Sequence, residues 1–207
     1  MKLELFYPIK NPKIITQAFG QNLVPYYQQL GYKGHTGIDM VGMHDQIVRA
    51  AHDGIVTYAG TDANEGWGIV IRTEDERTGI DGKPSLWKTV YWHLVANSFL
   101  VKVGDKVRCG QPIARCGNTG TWGSTTPGPE CFAPIWKGNH LHFGLKPIAA
   151  GENDWTWTNS QQSNGYAGAL NPQPYFNGLY AEDYISISDK LILLFQKVAD
   201  IFKLLNA

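Results

Sequence analysis

The chain lacks a charge surplus, is poor in cysteine and has no long apolar run. Its 18 basic and 18 acidic residues cancel to a formal net charge of zero over 207 residues. No basic stripe is present to neutralise a phosphate backbone, so a nucleic-acid partner is not expected. No acidic tail is present either. No stretch approaches the ~18 consecutive apolar residues of a membrane-crossing helix, so no transmembrane segment is expected. The first residues, Met1 to Pro8, contain no apolar run of signal-peptide length, and none is expected there. The three cysteines are Cys109, Cys116 and Cys131. None forms a CxxC pair, which argues against a thiolate zinc knuckle. Cys109 and Cys116 flank a short apolar segment, and a disulfide between them is one option; the odd count leaves a thiol over.

Apolar and aromatic side chains are plentiful, at 43% and 12% of the chain. That suffices for one cored domain with an appendage. Large flat side chains also line peptide or sugar grooves, although core packing is their commoner use. Short apolar runs recur between Gly-rich turns at residues 13–19, 53–59, 67–73, 87–95, 111–116 and 139–146, and they read as strands. No alternation of strand and helix appears. The expected fold is mainly β, an antiparallel sheet or partly open barrel, over residues 1–150. Residues 74–85 are charged and Gly-containing and read as a loop. Residues 121–138, with several Pro and Gly, are too long for an ordinary turn and are a candidate substrate-shaping loop. Residues 151–187 read as an irregular segment wrapping the domain. From Ser188 and Asp189, both good N-cap residues, Leu191, Leu194, Phe195, Val198, Ile201, Phe202 and Leu205 recur at helical spacing. This predicts an amphipathic C-terminal helix over 188–207, docked on its own domain or on a partner.

Three segments carry chemistry. In Asn139-His140-Leu141-His142-Phe143-Gly144-Leu145, strand alternation puts both imidazoles on one face and Leu141, Phe143 and Leu145 on the other. The pair can bind a metal together, or one can bind it while the other handles protons. In Gly34-His35-Thr36-Gly37-Ile38-Asp39 the glycines disfavour a helix. A turn running into a strand would bring His35 and Asp39 to one point, a mixed shell that suits zinc. In Thr89-Val90-Tyr91-Trp92-His93-Leu94, alternation sets Tyr91 and His93 on one face and Val90, Trp92 and Leu94 on the other. A hydrolytic zinc takes three protein ligands and keeps one position open for water, which it acidifies. The remaining histidines can then move the proton and hydrogen-bond an oxyanion. His44 and His52 read as surface or structural residues. Glu130, in the long loop, is a weaker candidate for an acid or a gate.

The set resembles the lysostaphin-type (LytM-like, M23) zinc metallopeptidases, which are marked by HxxxD, a later YxHL and a closing HLHF strand. The matching residues are His35-Thr-Gly-Ile-Asp39, Tyr91-Trp-His93-Leu94 and His140-Leu-His142-Phe143, in that order. Further similar stretches are Ile15-Thr-Gln-Ala-Phe-Gly20, Ala51-His-Asp-Gly-Ile-Val56, Val103-Gly-Asp-Lys-Val107 and Gly117-Asn-Thr-Gly120. The resemblance covers residues 13–147. It implies a twisted antiparallel sheet with a peptide groove and one Zn2+ per chain held by His35, Asp39 and His142. It implies His140 as general base and His93 as the second catalytic histidine, orienting water or steadying the oxyanion. The implied activity is endopeptidase cleavage of bacterial peptidoglycan, in stem-peptide cross-links or cross-bridges. The implied place of action is extracellular, periplasmic or phage-associated. The long loop at 121–138, the 74–85 segment and the C-terminal helix depart from the family pattern and bear on substrate choice.

Two other readings compete. A non-catalytic relative would bind and activate a cell-wall hydrolase, but such domains typically lose metal ligands, and all five positions are present here. A lipoyl- or biotinyl-like carrier is suggested by the segment from Leu100 to Ile113, yet no Lys-bearing hairpin accompanies it and the His/Asp set would go unexplained.

Overall fold

The computed structural model describes residues 1–10, 14–21, 26–120, 138–148 and 164–184, together with residues 194, 195, 198 and 202. The strands are β1 (Leu5–Tyr7), β2 (Ile15–Gln17), β3 (Ile38–Val41), β4 (Ile47–Arg49), β5 (Gly54–Asp62), β6 (Gly66–Arg72), β7 (Arg77–Thr78), β8 (Pro84–Ser85), β9 (Trp87–Leu94), β10 (Lys106–Val107), β11 (Pro112–Arg115), β12 (His140–Pro147) and β13 (Phe176–Tyr180). A short helix, Tyr26–Gln29, and two 3-10 turns complete the described elements. The main sheet has the order β10-β5-β6-β9-β12-β3-β2. Its pairings are antiparallel. β10 and β2 stand at its two edges, so among the described residues the sheet does not close into a barrel.

The long central strands β6, β9 and β12 are built from Ile, Val, Trp, Leu and Phe, residues that pack well on a pleated surface. Ile69, Ile71, Tyr91, Leu141, Phe143 and Leu145 face one side and join Leu5, Ile38, Met40 and Val56 in the main core. The opposite side carries a smaller cluster of Val70, Val90 and Trp92, with Tyr58 against it. β1 pairs in parallel with β13, and Tyr7 stacks on Phe176 at 4.2 Å. Residues 164–184 thus pack back onto the sheet, with Leu170 bridged to Leu145 and Tyr175 against Trp87. Among the described aromatics, Trp87, Tyr91, Trp92, Phe143 and Tyr175 are buried in the core.

The six expected strands all contain or overlap observed ones. Residues 74–85 differ from a plain loop, because they fold back as the small antiparallel pair β7 and β8. Cys109 and Cys116 are buried free thiols. They belong to separate clusters, Cys109 with Phe6 and Ala181 and Cys116 with the main core, so no disulfide joins them. Burial pushes the Cys116 thiol up to about 12. Residues 121–137, with Glu130 and Cys131, lie outside the described residues, as does most of the expected helix over 188–207. Leu194, Phe195, Val198 and Phe202 have helical backbone and exposed side chains, from 41% to 68% of their surface. These four residues give no support to docking of the helix on its own domain.

Candidate active site and metal centre

Two neighbouring strands set the first part of the site. β12 runs antiparallel to β3, with His140 opposite Val41 and His142 opposite Asp39. Alternation keeps His140 and His142 on one face, and the register delivers Asp39 to the same face. His35 precedes β3 on a turn packed against β12. That packing requires glycine at position 37, since a Cβ there would lie 2.5 Å from the Phe143 carbonyl oxygen and 2.8 Å from His142 Nε2.

Three ligand-type atoms converge as a result. His35 Nε2 lies 2.9 Å from His142 Nδ1 and 3.2 Å from Asp39 Oδ1. His142 Nδ1 lies 3.1 Å from the same Asp39 oxygen. All three residues are buried. Tetrahedral ligands at ~2.0–2.1 Å from a zinc ion stand about 3.3–3.4 Å apart, close to the observed triangle. Two imidazole nitrogens and one carboxylate oxygen are also the donor chemistry that zinc takes. The set fits zinc on both geometry and chemistry, and the same three residues form a group able to hold a metal ion.

The electrostatics agree. Burial alone would raise the Asp39 carboxyl. The charge of His140 and hydrogen bonds from His142 and His35 outweigh it and hold Asp39 well below the usual carboxylate range. Burial lowers His142, against the hydrogen bond to Asp39, and so favours the neutral imidazole a metal needs.

His140 and His93 stand beside this triangle. His140 Nδ1 is 2.6 Å from the Gly138 carbonyl, and His93 Nδ1 is 2.8 Å from the Thr119 carbonyl. A carbonyl only accepts, so both rings donate through Nδ1–H and leave Nε2 for the cleft. His140 Nε2 lies 3.9 Å from Asp39 Oδ2, and the two rings are 4.5 Å apart, centroid to centroid. Burial, with the nearby His140 and His142, lowers His93 well below the ordinary histidine range. In its neutral form His93 therefore presents a lone pair to the cleft.

Strict alternation does not place His93. Tyr91 lies in the main core, as does Leu94, while His93 turns to His140. The phase shifts at His93 itself, whose φ is +62°. The pairing of β6 with β9 is irregular at the same place, between Trp67 and Ile69. A non-glycine residue in this left-handed region costs roughly 1–3 kcal/mol and is held only by its surroundings. Here the Glu65 carbonyl accepts the His93 N–H at 3.3 Å, and the His93 carbonyl accepts from Gly117 at 3.0 Å.

Two further residues stand beside His93: Thr119, from the Gly117-Asn-Thr-Gly120 stretch, and Glu65, for which the sequence offers no motif. Thr119 is buried; its hydroxyl accepts from Trp67 N and donates to the Leu94 carbonyl, which ties β6 to the end of β9 beside His93. Glu65, on the β5–β6 turn, puts Oε2 4.0 Å from His93 Nε2. Burial, then the charges of Asp62 and Asp39, push its carboxyl up to about 7, although 39% of the side chain remains exposed. Of the other histidines, His52 is buried and hydrogen-bonded, and His44 is exposed beside Asp45.

The sequence signature of peptidase family M23 matches residues 33–154, more than half of the chain. The chain belongs to peptidase family M23. Among curated family relatives, glycyl-glycine endopeptidase ALE-1 of Staphylococcus capitis is 32% identical over 164 residues, which are 71% of this chain and 38% of that protein. The murein hydrolase activator NlpD of Escherichia coli is 36% identical over 90 residues, 42% of this chain and 20% of that protein. The chain thus spans 20% to 38% of the length of these two relatives. The solved structure of LytU superposes with a TM-score of 0.52 at 27% identity, covering 80% of this chain and 86% of that one. The fold is accordingly M23 or LytM-type, and among the described residues no helix is long and apolar enough to cross a membrane.

Proposed function

We propose that this chain is a zinc-dependent endopeptidase that hydrolyses peptide bonds in bacterial peptidoglycan. The observation that carries the proposal is the buried triangle of His35 Nε2, Asp39 Oδ1 and His142 Nδ1, with two further imidazoles beside it, each held through Nδ1 by a backbone carbonyl. His35, Asp39 and His142 would hold one Zn2+ per chain. A zinc ion there supplies Lewis acidity, polarising a carbonyl and acidifying water.

The chain's own residues do the rest. His140, fixed by Gly138, offers an Nε2 lone pair that takes the proton of the attacking water and returns it to the leaving amine. His93, fixed by Thr119, faces the same space and stabilises the developing oxyanion once its Nε2 carries a proton. Asp39, kept ionised, contributes negative charge to the ligand set. Residues 1–150 are the peptidase domain in this reading; of the expected wrapping segment over 151–187 only 164–184 are among the described residues, and most of the expected helix over 188–207 lies outside them. The site of action is extracellular, periplasmic or phage-associated.

The test is zinc content of the purified protein together with release of new amino groups from peptidoglycan, with and without a chelator. One zinc per chain and chelator-sensitive release are expected. Zinc-free protein without release would overturn the proposal and favour a second reading, a non-catalytic activator of cell-wall hydrolases. The similarity to NlpD, named as an activator, is the observation behind that alternative.

A further inference from the structure

A cavity of about 500 Å3 lies at the far end of the sheet from the candidate metal centre. His35, Asp39, His93, His140 and His142 take no part in its lining. Thr73, in its wall, follows β6, and its N–H donates to the Trp87 carbonyl at the start of β9. His93 stands at the other end of β9, about 20 Å away at ~3.3 Å per residue. The volume is that of a site for a small organic molecule.

The charges around this cavity are sorted. Lys2 and Arg77 stand together at one end, because Lys2 bridges to Thr78, the neighbour of Arg77. Glu4 and Asp53 mark the other end, beside the Cys109 thiol, which burial and then these two carboxylates raise. Lys2 and Glu4 flank Leu3, which turns into the core, so the two ends are about 7 Å apart along the chain. Among the described residues the side chains of Lys2, Glu4 and Arg77 make no ion pair or hydrogen bond. Thr73 is 1% exposed, and its hydroxyl accepts from Trp87 N at 3.1 Å, which leaves its proton for another acceptor. His52 lies between the two ends, with both ring nitrogens already engaged by the Asp53 carbonyl and the Thr89 hydroxyl, so it shapes the floor without competing for a ligand.

We propose that this cavity is a second binding site, for a dipeptide with free ends, whose carboxylate meets Lys2 and Arg77 and whose ammonium meets Glu4 and Asp53. Length selects the dipeptide: two extended residues span about 7 Å, and a single amino acid falls short of one end. Charge selects the zwitterion, since an anion or a cation alone would match one end and be repelled by the other. The buried ring of Tyr175 and the neighbouring Phe176 give the side chains an apolar wall. The site shares no residue with the metal centre, so it stands independently of the peptidase reading.

The test is a titration of the full chain, supplied with zinc, with alanyl-alanine in its L,L and D,D forms, followed by the backbone amide signals in NMR. One form or both should give saturable shifts at Glu4, Asp53, Thr73 and Arg77, with a dissociation constant of about 1–10 mM. N-acetyl-alanyl-alanine amide, which lacks both charges, and free alanine, which is too short, should each bind about tenfold or more weakly. Arg77→Gln and Glu4→Gln should melt like the wild type and each weaken binding about three- to tenfold. No saturable shift with either form, or equal binding of the blocked peptide, would overturn the site. Shifts confined to the surroundings of His35 and His142 would overturn it too, by placing the peptide at the metal centre. The blocked peptide decides the matter on the wild type alone if a variant fails to fold.

Discussion

His52 and His142 are equally buried, each 6% exposed, yet they are solved in opposite ways. His52 Nδ1 donates to the Asp53 carbonyl at 2.8 Å, and its Nε2 lies 2.9 Å from the Thr89 hydroxyl. Each nitrogen has a neutral partner of the right polarity, and the residue is complete as it stands. His142 Nδ1 instead faces another imidazole nitrogen and a carboxylate oxygen. Three ligand-type atoms, His35 Nε2, His142 Nδ1 and Asp39 Oδ1, gather there within 3.2 Å of one another. Buried polar groups normally find partners. A buried group of two imidazole nitrogens and a carboxylate oxygen is one that could hold a metal ion. Burial is common to both regions, so the chemistry of the neighbours is what separates a structural histidine from a candidate ligand.

The sharpest way to break this contrast is to remove one corner of the triangle. Asp39→Ala should purify without zinc and lose about a thousandfold or more in amino-group release, since a metal supplies several kcal/mol to the transition state. Zinc content by mass spectrometry and release from peptidoglycan check both parts. His140→Ala should keep its zinc and lose about a hundredfold or more in turnover; loss of the metal would instead place His140 among the ligands. Gly37→Ala drives a methyl group against His142 and should weaken zinc affinity by about 10–100-fold, as other disturbances of ligand orientation do. Competition with a chelator measures that.

His52 supplies the smaller, opposite effects. His52→Ala leaves the Thr89 hydroxyl and Asp53 carbonyl without their partner and should cost about 1–3 kcal/mol in denaturant unfolding, with zinc content unchanged. Its pH dependence sharpens the comparison. Burial lowers His52 below its ordinary value. The unfolded chain therefore binds the extra proton first as pH falls. The stability is present in full above about pH 6.5 and is lost as pH falls through the lowered folded value. The variant should accordingly lose less melting temperature than the wild type between pH 7 and pH 5, and the remaining drop reports other buried histidines such as His93.

Much of the fold is written in local pattern. The apolar runs around residues 67–73, 87–95 and 139–146 became the central strands β6, β9 and β12, because bulky alternating side chains suit a pleated, half-buried surface. The short strands β1, β4, β10 and β13 fall outside the six expected runs. Two to five residues carry too little periodicity, and β1 and β13 find each other across most of the chain. The pairing of His140 with His142 followed from alternation, and the glycines around His35 pointed rightly to a turn entering a strand.

The order of His35, Asp39, His93, His140 and His142 and their residue types were determined by the sequence alone. They suffice to propose a chemistry, because zinc binding and general-base catalysis depend on donor type. Position was decided only by tertiary structure. The register of β12 against β3 brought Asp39 to His142, and a left-handed residue turned His93 out of the core that alternation would have given it. Glu65 came within 4.0 Å of His93 across 28 positions of sequence, on the hairpin turn between β5 and β6. No local pattern encodes such a contact, since it arises from the pairing of strands remote in the chain, where each hydrogen bond depends on the others being made.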